Sequence, residues 1–296
     1  MRDEGQLCWQ YTHEWQLNGF PVSPHLPLSN DISSVNVSRF LRNTFPEGQA
    51  FDELLQYMQI SRNNTFALVN ALGLDLLGAL TILPENKALP SQLIFRALTE
   101  NELLARLNSR SVNSLIIWDG KPRLSVAGLQ DKINVVKNKE GQLGFGEEAL
   151  YSTHILKFER QSQAYLVLNE YITMGLAKAC GLNVANVSLQ QYGSHNALLV
   201  ERFDRKWMNG QVKKRQVIDG CQALNLDPDH KYERWLGSGR DVAHIRDGAN
   251  LPQLFKFADH CQQPALVKHQ ILDWVLFNLL VFNVDAHAKN ISFLCK

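Results

Sequence analysis

Asn283-Val-Asp-Ala-His-Ala-Lys-Asn290 places an acid, an imidazole, an ammonium and an amide within eight residues, directly after the most apolar run of the chain. Four residues separate Asp285 from Asn290. In phosphoryl transfer that spacing lets a carboxylate take the proton of an attacking hydroxyl while the amide holds a magnesium ion. Lys289 lies beside the amide, where it could counter phosphate charge. A satisfied turn would use the same residue types, since Asp and Asn favour loops. The chemical reading therefore needs further parts: a cover for the phosphates, a lysine on a strand and a carboxylate on a helix to hold that lysine.

Candidates occur in that order. Ser125-Val-Ala-Gly-Leu-Gln-Asp-Lys132 is a small-residue turn whose backbone could approach phosphates, although its single glycine also suits an ordinary bend. Lys157 sits between Leu156 and Phe158 in a strand pattern, a costly place for an ammonium unless its head reaches a partner or snorkels to the surface. Glu170 lies on the following helical stretch, opposite the expected apolar stripe of Leu168, Ile172, Leu176 and Ala179, where it would face either Lys157 or solvent. Glu201-Arg-Phe-Asp204 closes an apolar strand where backbone groups could hold an adenine.

The elements that must position these groups follow from periodicity. Phe51, Leu54, Leu55 and Met58 mark an amphipathic helix, and Thr99-Glu-Asn-Glu102 opens another with a capping-box pattern. Gly73 to Pro84 reads as a tight turn feeding a buried strand. Strands are expected around residues 93–95, 123–137, 153–158, 187–192 and 197–204, with turns at Asn138–Gly141 and Gly193–Asn196. A helix runs from about Tyr165 to Cys180 and stops at Gly181. Residues 205–263 carry no assignable pattern, and a helix begins at Pro264.

The chain has 296 residues, 45% of them apolar and 20% charged, with a net charge of +1, so it can bury a sizeable core and shows no sign of disorder. The densest basic cluster, Lys213-Lys214-Arg215, reads as a solvated turn and not as a nucleic-acid contact. Five cysteines, scattered and without a CxxC pair, argue against disulfides or zinc and for reduced, cytoplasmic thiols. Ile271–Val284 is apolar but short and interrupted by Asp273, Asn278 and Asn283, which suits a buried core helix better than a membrane span.

Taken together, Ser125–Lys132, Thr153–Lys157, Asn169–Tyr171, Leu176–Val184, Val200–Arg205 and Asp285–Asn290 resemble the HipA family of serine/threonine kinases, the toxins of bacterial HipBA-type toxin-antitoxin systems. Leu26–Leu28 and Gly73–Pro84 extend the resemblance over nearly the whole chain. It implies an α+β, protein-kinase-like fold in three segments: an N-terminal subdomain (1–118), a kinase N-lobe (119–205) and the start of a helical C-lobe (206–296). It implies that ATP and Mg2+ are bound, with Ala127, Gly128, Leu129, Gln130, Asp131 and Lys132 as the phosphate loop and Lys157 on the phosphates. Glu201, Arg202 and Phe203 would hold adenine, and Asp285 would be the catalytic Asp. His287, Ala288, Lys289 and Asn290 would complete the nucleotide site, Asn290 as a metal ligand, and Ser125 would be the autophosphorylation site.

The implied partners are a HipB-like helix-turn-helix antitoxin, operator DNA reached mainly through it, and an aminoacyl-tRNA synthetase as protein substrate, with no membrane. Family members begin with a further segment and continue to a second magnesium-binding Asp and a C-lobe of roughly a hundred more residues. This chain is thus expected to be shortened, with an exposed apolar flank at Trp274, Phe277, Val281 and Phe282. A non-catalytic antitoxin-binding protein derived from such a kinase is the alternative.

Overall fold

A computed structural model describes residues 2–3, 6–29, 31–123, 130–159, 165–242 and 244–295. The chain divides into two compact units, residues 44–215 and residues 1–43 together with 216–296.

The 44–215 unit is built on a six-stranded antiparallel sheet of β1 (Leu93–Ala97), β2 (Lys132–Lys137), β3 (Leu143–Glu148), β4 (His154–Phe158), β5 (Val187–Tyr192) and β6 (His195–Glu201). Its spatial order is β1-β3-β2-β4-β6-β5, so β4 lies inside the sheet and β1, from the first expected segment, forms one edge. Alternation along the strands sends side chains to opposite faces. Ile133, Val135, Phe145, Leu156, Phe158, Ala197 and Leu199 pack with Leu103 and Leu107 of helix α1 (Glu100–Asn108). Leu198 and Val200 instead pack with Val167 of helix α2 (Leu166–Ala179). Each large side chain buried this way contributes roughly 1.5–3 kcal/mol.

The local signals behave as their chemistry requires. Glu102 N donates to Thr99 Oγ1 (3.2 Å) and Thr99 N to Glu102 Oε2 (3.0 Å), closing the capping box that starts α1. These bonds, together with Arg96, pull the Glu102 carboxyl down to about 2. Asn138 and Gly141 form the β2–β3 turn, with Gln142 N donating to Asn138 Oδ1 at 2.8 Å.

Several parts of the chain differ from expectation. Gly73–Pro84 forms turns and extended chain with no strand; its polar groups bond to buried side chains instead of to a neighbouring strand. Within 205–263, Arg205–Met208 and Gln211–Lys214 pair as a hairpin about Asn209-Gly210, both in the left-handed region. Lys214 is no solvated turn residue: its Nζ donates to Leu74 O (3.0 Å), Leu80 O (2.9 Å) and Thr81 Oγ1 (2.6 Å) and lies 3.9 Å from the Tyr151 ring centroid. Burial pulls its ammonium down to about 7.

In the other unit, helix α3 (Pro264–Leu280) packs through Val267, Ile271 and Val275 against Leu254 and Ala258 of the helix Leu251–Ala258. The strands Val217–Asp219 and Ser292–Leu294 pair antiparallel, and Phe293 sits edge-on to Phe257 at 4.7 Å. The N-terminal stretch is pinned by the Tyr11 hydroxyl, which donates to Leu26 O (2.7 Å) and accepts from Val22 N (3.1 Å). α3 is not the buried core helix expected: Ile271 is its one buried residue, while Leu272, Leu276, Leu279 and Leu280 are exposed. Of the expected exposed flank, Phe282 is open, whereas Trp274, Phe277 and Val281 are half-buried. An apolar pattern on every face gives period analysis nothing with which to choose the inward side. No helix among the described residues is long and apolar enough to cross a membrane.

Candidate active site

In the 44–215 unit the site begins at β4. Leu156 and Phe158 point into the α1 side of the core, so alternation turns Lys157 toward α2. There its Nζ meets Glu170 Oε1 at 2.5 Å, with the two side chains 22% and 25% exposed. Glu170 faces inward because the buried side of α2 carries Val167 and Ala177, while Ile172 and Leu176, expected in the apolar stripe, are exposed. Antiparallel pairing sets Lys132 directly across from Lys157 on β2. Gln130 and Asp131 hold the end of β4, through Gln130 Nε2 to Phe158 O (3.2 Å) and Phe158 N to Asp131 O (2.8 Å). Ser125, Ala127, Gly128 and Leu129 lie outside the described residues.

The Glu201–Asp204 stretch separates by alternation. Glu201 and Phe203 are exposed, whereas Arg202, Asp204 and Arg205 turn inward. Arg202 forks onto Asp204 (3.0 and 2.8 Å) and donates to Ser152 Oγ (2.8 Å). Arg205 bonds Asp204 Oδ2 (2.7 Å) and Asp75 Oδ1 (3.0 Å), and Gly78 N donates to Asp204 (2.9 Å). Two guanidiniums hold the buried Asp204 carboxyl down at about 2 despite desolvation. The Arg202 side chain thus anchors the Asp75–Gly78 loop instead of facing a ligand. The backbone N–H groups of Glu201 and Arg202 are engaged by Asn186 O and Thr153 O, both at 2.9 Å. An adenine at this strand end would use carbonyls or Phe203.

In the other unit the catalytic-loop candidate follows α3 directly. Asn283 Nδ2 donates to Asn278 Oδ1 (2.6 Å) and Asp285 N to Asn283 Oδ1 (3.1 Å), an Asx relay that ties the loop to the helix. Asp285 is exposed, and its Oδ1 accepts from the Tyr232 hydroxyl. His287 N donates to Asn290 Oδ1 at 2.9 Å, across the short turn Ala288–Asn290. Lys289 differs from its expected role. Its side chain is 3% exposed, and Nζ donates to Asn43 O (2.9 Å), Asn43 Oδ1 (3.0 Å) and Asp219 Oδ2 (2.7 Å). That ammonium braces the loop and does not point at a phosphate. Sequence reading missed Tyr232 and Asp219 as partners of Asp285 and Lys289; both fall in the 205–263 stretch, where no period is visible.

No group of three or more His, Cys, Asp or Glu among the described residues could hold a metal. The donors suit magnesium that arrives with phosphates, since that ion takes one or two protein oxygens and fills its shell from nucleotide and water. Asn290 Oδ1, already accepting one N–H, keeps a second lone pair for such an ion.

A strand lysine paired to a helix carboxylate, with a separate loop carrying Asp and Asn with four residues between them, is the set of parts of the protein-kinase-like α+β class. The HipA N-terminal domain family model matches residues 1–83 and the HipA-like C-terminal domain model matches residues 124–296. The serine/threonine-protein kinase toxin HipA of Shewanella oneidensis is 46% identical over 96% of this chain and 65% of its own length. A putative kinase of Sinorhizobium fredii, Y4mE, is 32% identical over 98% of this chain and 69% of its own. The Shewanella oneidensis HipA structure solved with HipB and operator DNA superposes with a TM-score of 0.87 at 44% identity, covering all of this chain and 69% of that one. The chain belongs to the HipA family.

Proposed function

We propose that this chain is an ATP-dependent serine/threonine protein kinase of the toxin type, working with a HipB-like helix-turn-helix antitoxin and, through it, operator DNA. The observation that carries the reading is the Lys157–Glu170 pair, because a lysine held by one carboxylate and still partly open is poised for phosphate oxygens. Lys157 would contact the phosphates, aided by the 127–132 loop, and Glu201–Phe203 would receive adenine. Asp285 would take the proton of the acceptor hydroxyl. Asn290 would ligate Mg2+, which neutralises phosphate charge when bound. His287 and Ala288 shape that turn, and Lys289 contributes by fixing it. Ser125 is proposed as the autophosphorylation site, an aminoacyl-tRNA synthetase as the substrate and the cytoplasm as the location. Residues 1–118, 119–205 and 206–296 are proposed as the three functional segments.

Transfer of labelled phosphate from ATP with magnesium tests this reading. Asp285→Asn should abolish transfer while ATP binding persists, since a proton-accepting carboxylate acts on the step more than on ground-state affinity. Retained transfer in that variant would remove Asp285 from its role. Antitoxin binding without any nucleotide binding would overturn the kinase reading in favour of a non-catalytic binding protein.

A further inference from the structure

The phenol on Asp285 belongs to a segment that is itself unusually well fastened. Lys231 O accepts from Ala288 N of the catalytic turn (3.1 Å), His230 O from Ala249 N (2.9 Å), and Arg234 N donates to Asp247 O (2.8 Å). Gly248, at φ +83°, passes so close that a Cβ there would lie 2.1 Å from Tyr232 O, so a side chain at 248 would displace Tyr232. The Tyr232 ring stands edge-on to His287, with centroids 5.0 Å apart and an interplanar angle of 86°. Asp285 is thus held twice: its backbone through the Asn283–Asn278 relay, and its carboxylate through the Tyr232 hydroxyl.

We propose that Tyr232 is a positioning residue for Asp285: its phenol donates to one carboxylate oxygen, fixes the side-chain rotamer and leaves the other oxygen to receive the acceptor hydroxyl. The proposal rests on the kinase reading above for the role of Asp285. An exposed aspartate without such a donor would exchange among staggered χ1 wells. Catalysis by a proton acceptor depends on its placement before the acceptor arrives, and small misplacements cost rate steeply. A phenol standing in the acceptor's own place would inhibit instead. The two arrangements give opposite kinetic outcomes.

Tyr232→Phe keeps the ring on His287 and removes only the donor. Two measurements are made on it beside the unsubstituted chain, with a thermal melt to confirm an unchanged fold. The first, three-bond carbon and nitrogen couplings of 13C,15N-labelled Asp285, needs no activity. A single χ1 rotamer in the parent and averaged couplings in Tyr232→Phe are expected; identical couplings in both would overturn the proposal. The second is steady-state phosphoryl transfer, where kcat should fall about tenfold with KM for ATP unchanged. An unchanged or raised kcat would also overturn it, a rise marking the phenol as an inhibitory plug. If neither protein transfers phosphate, the kinase reading has failed, and the couplings alone still decide whether Tyr232 positions Asp285.

Discussion

Lys157 and Lys289 are both ammonium groups braced by a carboxylate, one in each compact unit, and their surroundings differ in kind. Lys157 meets Glu170 with 22% of its side chain open to solvent, whereas Lys289 is 3% exposed and spends its hydrogens on Asn43 and Asp219. A charge closed off on all sides is part of the fold, because releasing it would strand a buried carboxylate. One that keeps an open side can exchange partners at modest cost, as an ion exposed to water gains little from any single pair. The same contrast separates Lys157 from Arg202 and Arg205, whose side chains are 1% exposed and engaged by Asp204 and Asp75. Adjacency to a motif therefore does not make a charged residue a ligand contact; open surface and a spare valence do.

The sharpest way to break this contrast is Lys289→Met, which leaves Asp219 buried without its ammonium. A loss of about 3–5 kcal/mol is expected, read by denaturant unfolding. A loss below about 1 kcal/mol would place Lys289 with Lys157 after all.

A smaller effect comes from acid. Asp204 and Glu102 are both held down at about 2, below the ordinary carboxylate range, by their guanidinium and hydrogen-bond partners. Groups depressed in the folded state contribute stability that is present above their unfolded values near 4 and lost as pH falls through the folded ones. Unfolding midpoints should therefore hold down to about pH 4 and decline steeply toward pH 2, with a shallower decline in Asp204→Asn that starts from a lower plateau. Lys214 works at the other end. A base depressed to about 7 binds fewer protons folded than unfolded, so stability should rise between about pH 7 and 10, and that rise should vanish in Lys214→Met.

How much was legible in the sequence follows from the same distinction between periodic and particular features. The sheet strands, the capping box at Thr99 and the turn at Asn138–Gly141 were visible because each depends on local spacing. So was Lys157, since a lysine amid apolar strand residues is costly unless partnered. The inward face of α2 was read the wrong way round, because Leu168, Ile172 and Leu176 offer as good a stripe as the buried Val167 and Ala177. Asn209-Gly210 was legible and overlooked: that dipeptide is the strongest short signal for a two-residue hairpin. Tyr232, Asp219 and the Asp75–Arg205 contact were not legible, as they join residues 53, 70 and 130 positions apart with no shared period.

The smallest stability effect tests the central claim most directly. Lys157→Ala should cost about 1 kcal/mol or less in unfolding, since its partner Glu170 remains partly hydrated. Calorimetric titration with ATP and magnesium should show at least a tenfold loss of affinity in that variant, as one phosphate-contacting cation contributes more than about 1.4 kcal/mol. Unchanged ATP affinity, or a stability loss as large as that of Lys289→Met, would make Lys157 a structural residue and contradict the account.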